Sequence, residues 1–283
     1  MSCYLCGSDK FKYRDGEVRD KKELKVLECL NCSLVYLSDF SHVEDNFYED
    51  SKMHATFDLQ KWNRETDSDD KRRFEFTKDI IVNKDVLDFG SGNGGYLNYI
   101  KTSAKTISAI ELQKSISQQY EEYEIELYTD IKDIKKEFDI ITMFHVLEHL
   151  SDPKDMLIQL SNRLKDGGKI IVEVPNSEDA LLTLYENKAF SEFTYWSCHL
   201  FLFNAKTLNE LVSQCNLKVD FIKHIQRYPL SNHLHWLSKG KPAGHQQWGA
   251  FLDSDSLNSA YESSLSAIGK TDTIIAQISK GCL

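Results

Sequence analysis

A chain of 283 residues with 41% apolar and 28% charged content is long enough to bury one or two cores and too apolar for disorder. Lys and Arg number 34 against 44 Asp and Glu, and the resulting net charge of −10 disfavours a nucleic-acid backbone as partner. No basic leader precedes an apolar core at the N-terminus and no run nears about 18 uncharged apolar residues, so a cytoplasmic protein that neither spans nor enters the membrane is expected.

The first element is a pair of knuckles, Cys3-x-x-Cys6 and Cys29-x-x-Cys32, 22 residues apart, with LKVLECL supplying a strand that returns to them. A two-residue spacer lets both sulfurs of a turn face one ion, so Cys3, Cys6, Cys29 and Cys32 are expected to hold one structural Zn2+ in a ribbon over residues 1–40. A redox CxxC or reduced structural thiols are the alternatives, while Cys198, Cys215 and Cys282 are scattered. Residues 41–84, acidic and helical in tone, read as a connecting segment.

From residue 85 short apolar runs alternate with amphipathic stretches. Strands are predicted at 86–89, 106–110, 124–128, 138–144 and 169–175, with helices at 95–103 and 112–122. Another helix begins near Pro153 and carries Met156, Leu157, Leu160 and Leu164, with Gly167 and Gly168 as its stop. A helix near 205–215 and strands at 217–228 and 271–280 follow, the last two separated by an insertion of about 40 residues that no minimal sheet needs. This rhythm predicts a doubly wound α/β sheet of seven strands, mostly parallel with an antiparallel last strand, over 85–283.

The strand VLDF runs into Gly90-Ser-Gly92-Asn-Gly94-Gly95 and then a helix, a turn that brings backbone close to a ligand. With Glu111 ending the next strand, a nicotinamide dinucleotide is one reading. Asp88 favours another, because a carboxylate beside the turn repels a pyrophosphate and suits a cation.

Asp88-Phe-Gly90-Ser-Gly92-Asn-Gly94 resembles the first motif of class I S-adenosylmethionine-dependent methyltransferases, and FDIITMFHVLEHLSDP (138–153) is similar to their fourth-strand motif. The resemblance, over about 74–225, implies S-adenosylmethionine as cofactor. It places the methionine moiety at the glycine turn, the ribose hydroxyls at Glu111 beside Leu112, the adenine at Asp130 and Ile131, and His145 at the site's edge. Acidic groups suit ligand groups that are all donors.

For a hydroxyl acceptor a base is needed, and His145, His149 and His199 compete for it. Trp196-Ser-Cys198-His199-Leu resembles an aromatic-x-Glu-His-Leu string of sugar-modifying relatives with Cys in place of Glu. In the insertion, about 229–269, His233, His235, Trp236, Lys241 and His245 are expected to cover the pocket mouth and bind a nucleotide-linked sugar or other anionic acceptor. A packing or homodimer-forming appendage is the alternative there. The whole reads as a methyltransferase of a small polar acceptor, a sugar or nucleotide-sugar in polysaccharide or secondary-metabolite assembly. An rRNA base methyltransferase, a class that includes members with an N-terminal zinc module, and a NAD-dependent oxidoreductase are the alternatives.

Overall fold

The computed structural model describes residues 2–43 and 59–281, so Cys282 and residues 44–58 of the predicted connecting segment lie outside the described residues. In the N-terminal module β1 (Phe11–Tyr13), β2 (Val26–Cys29) and β3 (Val35–Leu37) form an antiparallel ribbon, with one cysteine knuckle before β1 and the other at the turn from β2 to β3. The connecting segment resolves into one long helix, α1 (Leu59–Ile81), with only Asp70, Thr77 and Ile81 fully buried. Trp62, Phe74, Phe76 and Ile80 pack half-buried against one apolar cluster, and charge pairing adds to their hold on the helix.

The second unit follows as β4 (Asp85–Phe89), α2 (Gly95–Ile100), β5 (Thr106–Ile110), α3 (Ser117–Glu122), β6 (Glu126–Tyr128), β7 (Phe138–Phe144), α4 (Pro153–Ser161) and β8 (Leu164–Pro175). After it come α5 (Ala180–Thr183), α6 (Lys188–Thr194), β9 (Phe201–Leu202), α7 (Ala205–Gln214) and β10 (Leu217–Ile225). The predicted insertion folds as α8 (Leu230–Lys239), α9 (Gly244–Leu252) and α10 (Asp255–Ala267), and β11 (Thr273–Lys280) closes the sheet. Its order is β10-β11-β8-β7-β4-β5-β6, and β11 alone runs antiparallel to its neighbours, as the sequence predicts. Because the chain leaves β4 first toward β5 and later returns to pair β7 beside it, the order reverses at β4, where a crevice opens at the carboxyl ends of the strands.

Two apolar clusters flank the sheet. Alternation along β8 sends Ile170, Val172 and Val174 to one face and Ile171 to the other, so Glu173 stands on the same side as Ile171, under α1. One prediction fails at the start of β8. Leu164 is not helical but pairs with Phe138, and the register then jumps to Ile140 opposite Lys169. Residues 165–168 bulge out between, and a side chain at Gly168 would press on the Phe138 and Asp139 carbonyls. The glycines therefore shape a strand instead of ending a helix.

The ribbon is not a separate bead. Strand β9 extends it, with Val35 opposite Leu202 and Tyr36 opposite Phe201, and Cys3, Cys29 and Cys32 share one apolar cluster with Leu147, Leu157 and Leu200. The ribbon thus packs on the chain that follows the predicted boundary near residue 40.

Beyond β8, Asp179 caps α5 by accepting from Leu181 N at 2.7 Å, and burial together with Asp272 raises its pKa to about 8. A carboxyl that keeps its proton in the fold but loses it at its ordinary value of 3.8 when unfolded weakens the fold as pH rises between those values. Asp179→Asn keeps the capping oxygen and removes this titration. Its melting temperature relative to the parent should therefore climb from about pH 4 to about pH 8. A difference that stays constant across that window refutes the assignment.

Candidate active site

The crevice is a cavity of about 390 Å3 at the ends of β4, β5 and β7, within the range of small-molecule sites. Its floor is the glycine turn. Gly90, Gly92 and Gly94 have φ of 73°, 54° and 71°, and a Cβ on Gly90 would strike the Val146 side chain, which explains why bare backbone is needed here. Glu111 lies across the turn, its carboxylate accepting from Gly92 N at 2.8 Å and from Gln113 N at 2.9 Å. Asp88 is buried, accepts from Thr142 Oγ1 at 2.6 Å, and has its pKa raised to about 7 by burial and by the fields of Asp70 and Glu111.

A roof that the sequence reading missed is built by α1. Trp62 covers Gly92, and Asn63 and Thr66 accept from Asn93 Nδ2, both at 2.8 Å. Behind them Arg72 and Arg73 fork onto Glu173, with contacts of 2.8 to 3.1 Å, and Arg227, just past β10, pairs with Asp69. Asp69 and Glu173 are thus neutralised by arginines, whereas Asp88 and Glu111 have no arginine within hydrogen-bond reach among the described residues. The signal for the roof was present in KIIVEVP: a lone carboxylate in a strand buried on both faces requires a cation from the layer above.

At the far wall His145, in left-handed backbone with φ 55°, is fixed from three sides. Its Nδ1 lies 3.2 Å from Glu148 Oε1, and its Nε2 lies 3.0 Å from Arg227 Nη1 and 3.2 Å from Glu173 Oε1. Carboxylate oxygens, which only accept, stand at both ring nitrogens, and the Arg227 N–H, which only donates, also faces Nε2; the neutral ring therefore accepts from Arg227 when its proton is on Nδ1 toward Glu148, and donates to Glu173 when its proton is on Nε2. Burial alone would push the Glu148 carboxyl up, but the hydrogen bond from His145 and the fields of His149, His145 and His199 outweigh it and hold it at about 2.

Of the residues predicted for the cofactor, Asp88, Gly90, Gly92, Glu111, Leu112 and His145 line the cavity. Gly94 forms the N-cap of α2, Asp130 caps the short turn Ile131–Asp133 by accepting from Lys132 N, and Ile131 is buried in the core; these three are not in the wall. His149 is in the wall. His199 packs edge to face behind it, centroids 4.9 Å apart, where burial and His149 lower its pKa to about 3. The insertion residues go elsewhere. Buried His233 meets Tyr261 and Gln226, buried His235 meets the Lys241 carbonyl, and Trp236 packs on Phe190 and Phe193. Lys241 is exposed, and His245 lies against Tyr228. The rings that look free to stack on a sugar are spent on internal packing, and among the wall residues only Arg227 comes from the stretch that leads into the insertion.

At the ribbon, Cys3 and Cys32 sulfurs are 3.6 Å apart, those of Cys6 and Cys29 3.5 Å, and all four lie within 4.8 Å of one another. Sulfurs at about 2.3 Å from a tetrahedral zinc stand close to these separations, whereas a disulfide needs about 2.05 Å. The donor set fits one Zn2+ with no position left over for chemistry. No helix among the described residues is long and apolar enough to cross a membrane.

The family described as a methyltransferase domain matches residues 60–220, more than half of the chain. The chain is 30% identical over 122 residues to the mitochondrial ubiquinone biosynthesis O-methyltransferase of Candida albicans, covering 37% of each. It is 32% identical over 104 residues to the tRNA U34 carboxymethyltransferase of Nautilia profundicola, covering 33% of this chain and 35% of that one. It thus matches less than half the length of its curated relatives. The fold is similar to that of the plantazolicin methyltransferase BpumL in complex with SAH, with a TM-score of 0.53 at 16% identity over 84% of this chain and 93% of that one.

Proposed function

Because the chain belongs to the methyltransferase-domain family, we propose that it transfers a methyl group from S-adenosylmethionine to a small polar acceptor of the sugar or nucleotide-sugar class. The observation that carries the donor is the pair of carboxyls in the cavity, Asp88 and Glu111, with no arginine within hydrogen-bond reach among the described residues: burial above all raises the Asp88 pKa to about 7, and a cationic ligand beside it would favour its ionised form. Glu111 is placed to receive donors such as ribose hydroxyls. When bound, the cofactor supplies a methyl group already activated on a cationic sulfur, so the protein's task is positioning and proton removal.

We place the base at His145 rather than His199, because His145 faces the cavity and His199 does not. An acceptor hydroxyl that takes the place of the Arg227 N–H at Nε2 gives up its proton there. The imidazolium so formed lies 3.2 Å from both Glu148 Oε1 and Glu173 Oε1, two carboxylates already in position to stabilise it. Arg227 is left to bind an anionic part of the acceptor. The net charge of −10 favours such a metabolite over RNA.

Calorimetry tests the donor site. S-adenosylmethionine should bind and NAD should not, and Glu111→Ala should weaken binding by about 1–3 kcal/mol. Since the sulfonium prefers ionised Asp88, affinity should strengthen as pH rises through about 7, and Asp88→Asn should abolish that slope. NAD binding in preference, or unchanged affinity in both variants, refutes the site. A screen of nucleotide sugars, phosphorylated metabolites and structured RNA then reads the demethylated cofactor. Methylation of RNA alone refutes the small-acceptor reading.

A further inference from the structure

In the wall of the cavity and just behind it stand three side chains to which the proposed methyl transfer assigns no role. His149 ends the short turn Leu147–His149 after β7, and Cys198 and His199 lie in the link from α6 to β9. One nitrogen of each ring and Cys198 Sγ all lie within 4.8 Å of one another. His149 Nδ1 lies 2.8 Å from the Cys198 carbonyl and donates to it, which directs the lone pair of Nε2 away from that carbonyl. On the Nε2 side is Glu148, with Oε1 at 4.0 Å.

Two observations independent of this spacing point to a missing ligand. Glu148 is 0% exposed, yet its Oε2 has no hydrogen-bond partner among the described residues. His199 Nδ1 is likewise buried and unpartnered there. Bare buried acceptors of this kind are rare in folded proteins, because nothing replaces the water they lose. Two imidazoles and a thiol form a donor set of the zinc type, with a carboxylate as their neighbour.

We propose that His149, Cys198 and His199 hold a second divalent ion of the zinc class, with the Glu148 carboxylate beside it, separate from the four-cysteine ribbon site. Binding converts the Cys198 thiol to a thiolate and releases its proton to the buffer, and small rotamer shifts bring the donors onto the ion. Glu148 then stands beside the ion, its unpartnered Oε2 facing a positive charge in reach of its field, while Oε1 accepts from His145. The ion fixes the carboxylate that orients His145, which makes it a positioning element. That last step rests on the reading of His145 as base, whereas the metal site does not.

The test is metal content of the full chain purified without chelator, soaked in Zn2+ and desalted. Cys198→Ser and His199→Asn should each hold one equivalent less than the parent. Equal metal content in the parent and both variants overturns the site. Should the variants not fold, Co2+ titration of the unaltered chain decides. More than one equivalent bound, with imidazole–thiolate absorption beside that of the four-thiolate site, supports the proposal, and saturation at one equivalent overturns it. S-adenosylmethionine calorimetry on the same samples separates the two readings. A chain that takes the second ion but not the cofactor refutes methyl transfer and leaves the metal site standing, and the reverse refutes only the metal site.

Discussion

Glu173→Gln is expected to destabilise the protein by about 3–5 kcal/mol, because it leaves two arginines facing a neutral amide in a buried layer. Glu173 is 0% exposed and receives N–H groups from both Arg72 and Arg73. Its pKa lies well below the ordinary carboxylate value: burial opposes this, but Arg73, His145 and Arg72 prevail. A depressed carboxyl lends stability above the unfolded value and loses it as pH falls, so the parent should weaken in acid more steeply than the variant. Because few residues of α1 are fully buried, the roof should loosen with the loss, and cofactor affinity should drop with stability. Denaturant titration at neutral and acid pH reads the effect. A loss below about 1 kcal/mol, the scale of an exposed ion pair, would mean that α1 is held some other way.

Turnover should fall roughly 10²–10⁴-fold in His145→Asn, with cofactor affinity changed far less, since a base acts in the transition state. Release of demethylated cofactor with an acceptor found by the screen gives kcat, and calorimetry gives the affinity. Glu148→Gln should cause a smaller fall in kcat, because the amide still orients the ring but no longer offsets its charge. Near-normal turnover in His145→Asn together with collapse in His199→Asn would move the proton to the second ring.

What the sequence tells about this molecule depends on how local the cause is. The strands at 106–110 and 138–144 fall where alternation and apolar content place them, and Gly90, Gly92 and Gly94 adopt the positive φ that a ligand-bearing turn demands. The cysteine knuckles converge because their spacing leaves them little choice. Causes that act across the fold are harder to read. DSDDKRRF resembles a solvated helix face until Glu173 is known to lie beneath it, and Arg227 gains meaning only when Asp69 and His145 arrive from elsewhere in the chain. His233, His235 and Trp236 are a case of the opposite kind: polar and aromatic residues in an insertion suggest a binding surface, and here they are buried among three short helices that need their own core. The two-residue strand β9 has no sequence signal, being defined by its partner alone.

That partner lies far away along the chain. Val35 meets Leu202 across 202 − 35 = 167 residues, and the same region of the ribbon receives Ser197 N on Asp20 and offers Leu37 N to the Leu200 carbonyl. During synthesis at roughly 5–20 residues per second, the ribbon emerges about 8–33 s before the strand that completes its sheet. Through that interval the outer edge of β3 must stay unpaired in the crowded surroundings of the ribosome. At three residues it is a poor template for a stray strand, and chelation of an ion by the flanking knuckles would keep the nascent hairpin folded until its distant neighbour is made.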